Sequence, residues 1–163
     1  MPGIDECLLE AMRVPGARSA AVVDWISGLA LGAAGEAPGG DHETAACETA
    51  ELARMVVEYR SLGPLTATGV TTDAAPPADT PAGTDALPAP GGPPATGAPA
   101  APGVAVPAVE DVIATNSDSY HLLRFVTGVL DSTLFLHLWL ARDEGNLALA
   151  RIRLAEIAHR LVL

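Results

Sequence analysis

Apolar residues change their spacing several times along this chain, and each change marks an element. Ile4, Leu8, Ala11 and Met12 recur at helical spacing, and Val14-Pro15-Gly16 ends that helix because proline disfavours helical geometry in the residue before it. Ser19 to Trp25 and Leu29 to Ala34 are short, β-prone runs. Ile26-Ser27-Gly28 between them predicts a tight turn, with Gly28 supplying positive φ after Asp24. A second helix is expected from Asp41, whose carboxylate can cap free backbone amides, to about Leu62. At ~100° per residue, Ala45, Ala46, Thr49, Ala50, Leu52, Ala53, Met55, Val56, Val57 and Tyr59 share one broad arc. Glu43, Cys47, Glu51, Arg54 and Glu58 form a narrow polar side. An arc wider than one sheet needs predicts a second contact surface on this helix.

The remainder reads strand, strand, strand, helix. Val109 to Thr115 and Tyr120 to Val126 flank Asn116-Ser117-Asp118-Ser119, a set of turn formers, and predict another hairpin. Thr133 to Leu140 alternates four leucines with Phe135, His137 and Trp139, so both of its faces are apolar and it belongs in the middle of a sheet. Asn146 caps a last helix in which Leu147, Ala150, Leu154, Ile157 and Leu161 recur at spacings of three and four. Arg151 projects into that apolar arc and needs a partner or a route to water.

Between the two halves, Pro64 to Pro107 holds eleven of the 14 prolines, three aspartates and no basic or aromatic residue. Such a stretch has too little apolar surface to offset its ordering entropy, so a disordered segment is expected. Outside it 119 of the 163 residues remain. A lone hairpin is marginal in water, whereas pooling the halves gives five strands and three helices. The expectation is one domain, residues 1–163, with ordered parts 1–63 and 108–163 and an insertion at 64–107.

Charge narrows the partners. A formal charge of −11 repels nucleic-acid phosphates, and no basic, aromatic-interleaved patch offsets it. All nine basic residues are arginine, which excludes a phosphate-loop lysine, a Schiff-base lysine and a lysine general base. No apolar run approaches the roughly 20 residues that span a bilayer. The first residues lack the basic and apolar regions of a secretory signal, so the expected location is cytoplasmic. Cys7 and Cys47 have no metal or redox spacing and read as free thiols.

Candidate chemistry is sparse. His42 lies between Asp41 and Glu43, but three consecutive residues at a helix start point in different directions and suit a solvated cap better than a metal. His137 between two aromatic residues reads as a hydrogen-bonded core histidine. His121 and His159 have no partner at ligand spacing. No serine has glycines two residues away on both sides, and Gly35 to Gly40 lacks the lysine and hydroxyl residue of a phosphate loop. No catalytic residue, metal or cofactor is therefore expected.

Leu8-Leu9 followed by Val14-Pro15-Gly16-Ala17, Val22-Val23-Asp24 through Ser27-Gly28-Leu29-Ala30, and Asn146-Leu147-Ala148 before an apolar helix carry a resemblance. In the same order of elements, the chain is similar to the Roadblock family of dynein light chains and bacterial small-GTPase regulators. The resemblance implies an α+β fold: a five-stranded antiparallel sheet with the first and third helices on one face and the second on the other, a Roadblock/profilin-like sandwich. It implies a homodimer formed by third strands and second helices, which assigns Ala45, Ala46, Thr49, Leu52, Ala53, Val56, Val112 and Ala114 to the interface. In this layout Arg151 is expected to reach Glu6 or Glu10. The implied function is a non-enzymatic regulator or scaffold of a small Ras-like GTPase, whose own residues and magnesium nucleotide carry the chemistry. Arg142, on a turn, is the one candidate for an arginine supplied to the partner. A structural adaptor without a GTPase and a small-molecule sensor are the alternatives.

Overall fold

The computed structural model describes residues 3–63, 107–128 and 133–161. All of the 64–107 insertion except Pro107 lies outside the described residues. In chain order the elements are α1 (Ile4–Ala11), β1 (Ala17–Asp24), β2 (Leu29–Gly35), α2 (His42–Glu58), β3 (Asp111–Thr115), β4 (Ser119–Phe125), β5 (Leu134–Ala141) and α3 (Leu147–Leu161). Short 3-10 turns occupy Pro38–Gly40 and Arg60–Leu62.

The five strands form one antiparallel sheet in the order β2-β1-β5-β4-β3. β5 is central, and its pairing with β1 joins the two halves of the chain in a single sheet. Its side-chain alternation explains this place. Leu134, Leu136, Leu138 and Leu140 enter one core with Leu8, Val22, Leu122, Leu154 and Ile157, while Phe135 enters another with Ala21, Val23, Phe125 and the alanines of α2. Helices α1 and α3 thus cover one face and α2 the other. Each buried leucine contributes roughly 1.5–3 kcal/mol of transfer free energy.

The junctions are set by glycine. Gly16 adopts φ +81° as α1 gives way to β1, and a Cβ there would lie 2.6 Å from the backbone nitrogen of Gly145, where β5 turns into α3. The Gly16 carbonyl also accepts from Ala141 N–H at 2.8 Å. At the β1–β2 turn the Asp24 carboxylate accepts from Ile26 N–H at 3.0 Å and Ser27 O–H at 2.8 Å, and Gly28 follows at φ +78°.

Several boundaries differ from the sequence reading. α2 ends at Glu58 instead of Leu62, because Tyr59 is extended (φ −79°, ψ 109°) and a separate 3-10 turn follows. β3 begins at Asp111, and Val109 instead packs at the margin of the α2-side core. Arg151 pairs with Asp111 at 2.7 Å, not with Glu6 or Glu10. Glu10 is engaged by Arg160, whose hydrogen bond holds the carboxyl below its usual pKa. Asp111 also accepts from Arg124 at 3.1 Å, so this one carboxylate ties β3 to both β4 and α3.

Candidate functional site

α2 is the element with the most to present. Asp41 caps it, its carboxylate accepting from Thr44 N–H at 2.9 Å and Thr44 O–H at 2.6 Å, and these bonds hold its pKa below the ordinary aspartate value. Ala46, Ala50 and Ala53, spaced four and three apart, line the inner face and rest on Val23, Phe125 and Phe135. Methyl groups there let the helix sit close to the sheet. Arg54 donates to the Ile26 carbonyl at 3.1 Å, fastening the helix to the β1–β2 turn.

This geometry divides the proposed interface residues. Ala45, Ala46 and Ala53 are buried within the single chain, Ala46 and Ala53 in the cluster against its own sheet, so they leave little surface of their own for a partner. Alanines fill both the inner face of α2 and its flank, so the apolar arc is broader than the surface left outside. Thr49, Leu52 and Val56 are half-buried and form a shoulder, and Thr49 turns its hydroxyl to the Ala45 carbonyl at 2.7 Å. Met55 on the same helix and Tyr59 just past its end are about half exposed at 49% and 56%. Val112 and Ala114 on β3 are half-buried, and Leu52, Val57 and Val112 all pack against one core cluster. Exposed Glu43, Cys47, Glu51 and Glu58 lie outside the apolar shoulder, while exposed Glu48, four residues before Leu52 and seven before Met55, falls within it.

The histidines resolve into a pair that the sequence reading missed. His137 is 3% exposed, and its Nε2 lies 3.0 Å from Nδ1 of His121 on the adjacent strand. Because β4 and β5 are antiparallel, Leu123 stands opposite His137 and His121 opposite Trp139, so the two imidazoles meet on a diagonal of one face. Their rings stack, and His121 stacks in turn on Trp139, over which Arg18 lies at 5.3 Å. Burial is the main cause that pushes the His137 pKa down to about 3, with the neighbouring His121 adding to it. Burial also lowers His121. The two imidazoles share one hydrogen bond that links β4 to β5, and burial disfavours a charge on either ring. Strand register on a shared face is the signal that would have found it.

Arg142 is exposed, donates to the Asn116 carbonyl at 3.1 Å and lies over Tyr120, so it braces the β3–β4 turn. An open recess of about 550 Å³ beside it is lined by Arg18, Ser119, Trp139 and Asp143 among others. Among the described residues, no group of three or more His, Cys, Asp and Glu side chains is placed to hold a metal ion, and no helix is long and apolar enough to cross a membrane. Cys7 is buried and Cys47 exposed, both as free thiols.

Neither a protein-family model nor a curated protein matches the sequence. Solved structures do match in fold. Myxococcus xanthus MglB superposes with a TM-score of 0.61 at 12% identity, over 98% of this chain and 91% of that one. A Roadblock/LC7 domain from Streptomyces avermitilis gives 0.55 at 13% identity, over 96% and 92%. An MglB described in a tetrameric arrangement gives 0.60 at 15% identity, over 98% and 85%. With its five-stranded antiparallel sheet and its three helices divided two and one between the faces, the chain has the Roadblock/LC7 fold.

Proposed function

We propose that this chain is a non-catalytic, homodimeric regulator or scaffold of a small Ras-like GTPase, acting by protein contact. The observation that carries the reading is the apolar shoulder of α2, half-exposed on a Roadblock fold and bordered by glutamates. Leu52, Met55, Val56 and Tyr59 offer a second copy a surface that one copy leaves in water, and Val112 and Ala114 on the edge strand β3 lie on the same side. The MglB described as tetrameric is a fold relative that self-associates, in keeping with a role built on assembly. The 64–107 insertion belongs, in this reading, to one domain and joins α2 to β3 beside the dimer seam.

Two measurements test the proposal. Val56→Arg places a charge on the shoulder without entering the core, and it is expected to weaken dimerisation by at least about tenfold in light scattering. An unchanged dimer would count against this surface. Ala53→Arg is not a substitute, since it would drive a guanidinium into the core and unfold the chain. For the partner, the purified chain is immobilised and challenged with source lysate, and any GTP-binding protein recovered is assayed for nucleotide hydrolysis with and without it. Recovery of no GTPase alongside a stable dimer favours the structural adaptor.

A further inference from the structure

The sheet has two edges, and they are built differently. β3 is five residues long and opens on Asp111, whose carboxylate is held by two arginines. β2 is the longer edge, seven residues reading Leu-Ala-Leu-Gly-Ala-Ala-Gly, and among the described residues it pairs only with β1. It contains no charged residue and no proline, the usual guards against edge-to-edge pairing. One guard is present, a bulge: Val22 pairs with Gly32 and Val23 with Ala30, which leaves Leu31 as the extra residue. From Gly32 to Ala34 the strand is regular, and Gly35 closes it at φ +87°.

We propose that the free edge of β2 takes the β2 strand of a second copy of this chain, antiparallel about a two-fold axis at Ala33. An open edge can exchange its hydrogen bonds to water for those of another extended strand, and the side chains suit a copy of the same one. In this register Ala33 faces its own equivalent, Gly32 faces Ala34, and half-exposed Leu31 faces Gly35, so the one bulky side chain meets a residue without any. Glu36, just past the strand, falls opposite Ala30. No like charges meet, which matters for a protein carrying −11. Of the proposed dimer seam, the β3 part lies at the opposite edge of the sheet while α2 crosses the β1–β2 side, and two self-complementary surfaces on one subunit generate an alternating chain of copies beyond a closed dimer. Since the side chains at this edge are small, the contact buries little area and fills only as concentration rises.

The experiment is light scattering of the full chain over about a hundredfold range of concentration, on wild type, Ala33→Lys, Leu31→Glu and Val56→Arg, with thermal melts to confirm folding. Wild type is expected to exceed dimer mass as concentration rises. Ala33→Lys and Leu31→Glu, both at exposed positions, are each expected to weaken that further step at least tenfold. Val56→Arg should still self-associate through β2. A folded Ala33→Lys protein whose mass tracks wild type at every concentration overturns the proposal, as does a wild type that never exceeds a dimer while Val56→Arg stays monomeric. Should Ala33→Lys give monomer and Val56→Arg leave the dimer intact, the β2 edge is the sole interface, and the α2 surface proposed above fails instead.

Discussion

Gly16→Ala is expected to lower the unfolding free energy by at least about 3 kcal/mol, a large share of the roughly 5–15 kcal/mol that a domain possesses. Two costs combine. At φ +81° an L-residue loses ~1–2 kcal/mol relative to glycine. The new methyl would also lie 2.6–2.9 Å from the backbone of Glu144 and Gly145, which cannot swing aside as a side-chain tip can. To relieve the contact, the α1–β1 and β5–α3 junctions must separate, straining the bond from Ala141 N–H to the Gly16 carbonyl, itself worth ~0.5–1.5 kcal/mol. Controls isolate the terms. Gly39→Ala, at φ +68° in open space, should show only the conformational cost, and Gly3→Ala, with ordinary φ and nothing near it, should be close to neutral. Denaturant titration of the three proteins reads the order directly. If Gly16→Ala costs no more than Gly39→Ala, the two junctions are not in the close contact described.

The same junction shows why much of the fold was legible. Pro15-Gly16 and Gly145-Asn146 are local signals, and period-two alternation on both sides of Leu134 to Ala141 named the central strand before any pairing was known. What the sequence concealed was relational. Alanine is apolar enough to join an interface arc and small enough to vanish into a core, and Ala46 and Ala53 pack with Val23 and Phe135. Arg151 had carboxylates available on several elements, and only the docking of α3 over β4, beside β3, selects Asp111 over Glu10. The His121–His137 contact depends on strand register, which a one-residue shift would abolish. Local chemistry sets the elements; contacts between distant elements depend on how those elements dock.

Acidification is expected to destabilise the protein well before its carboxylates titrate, because of that histidine pair. In the unfolded chain His137 takes up a proton near its ordinary value of 6.5, whereas in the folded chain burial lowers its pKa to about 3. Between those limits the unfolded state binds more protons, so stability is intact above pH 6.5 and declines as pH falls toward 3. Each excluded proton costs about 1.36 kcal/mol per pH unit. From pH 6.5 to 4.5, where Glu10 has its ordinary carboxyl value, this amounts to roughly 2–3 kcal/mol for one histidine. His121, lowered less completely because Asp118 opposes its desolvation, adds in the same direction. Geometry explains why the pair resists charging: one hydrogen bond at 3.0 Å can hold one shared proton, and a second would point the N–H groups of two imidazolium rings at each other across that gap. Denaturant midpoints measured across this window should fall steadily in the wild type. His137→Leu, which keeps the volume and discards the titrating group, should flatten the slope by about one proton even though it costs stability at neutral pH by taking away the partner of His121. A wild type equally stable at pH 6.5 and 4.5 would show that the imidazoles are open to solvent, and with it that the β4–β5 face is not closed over them.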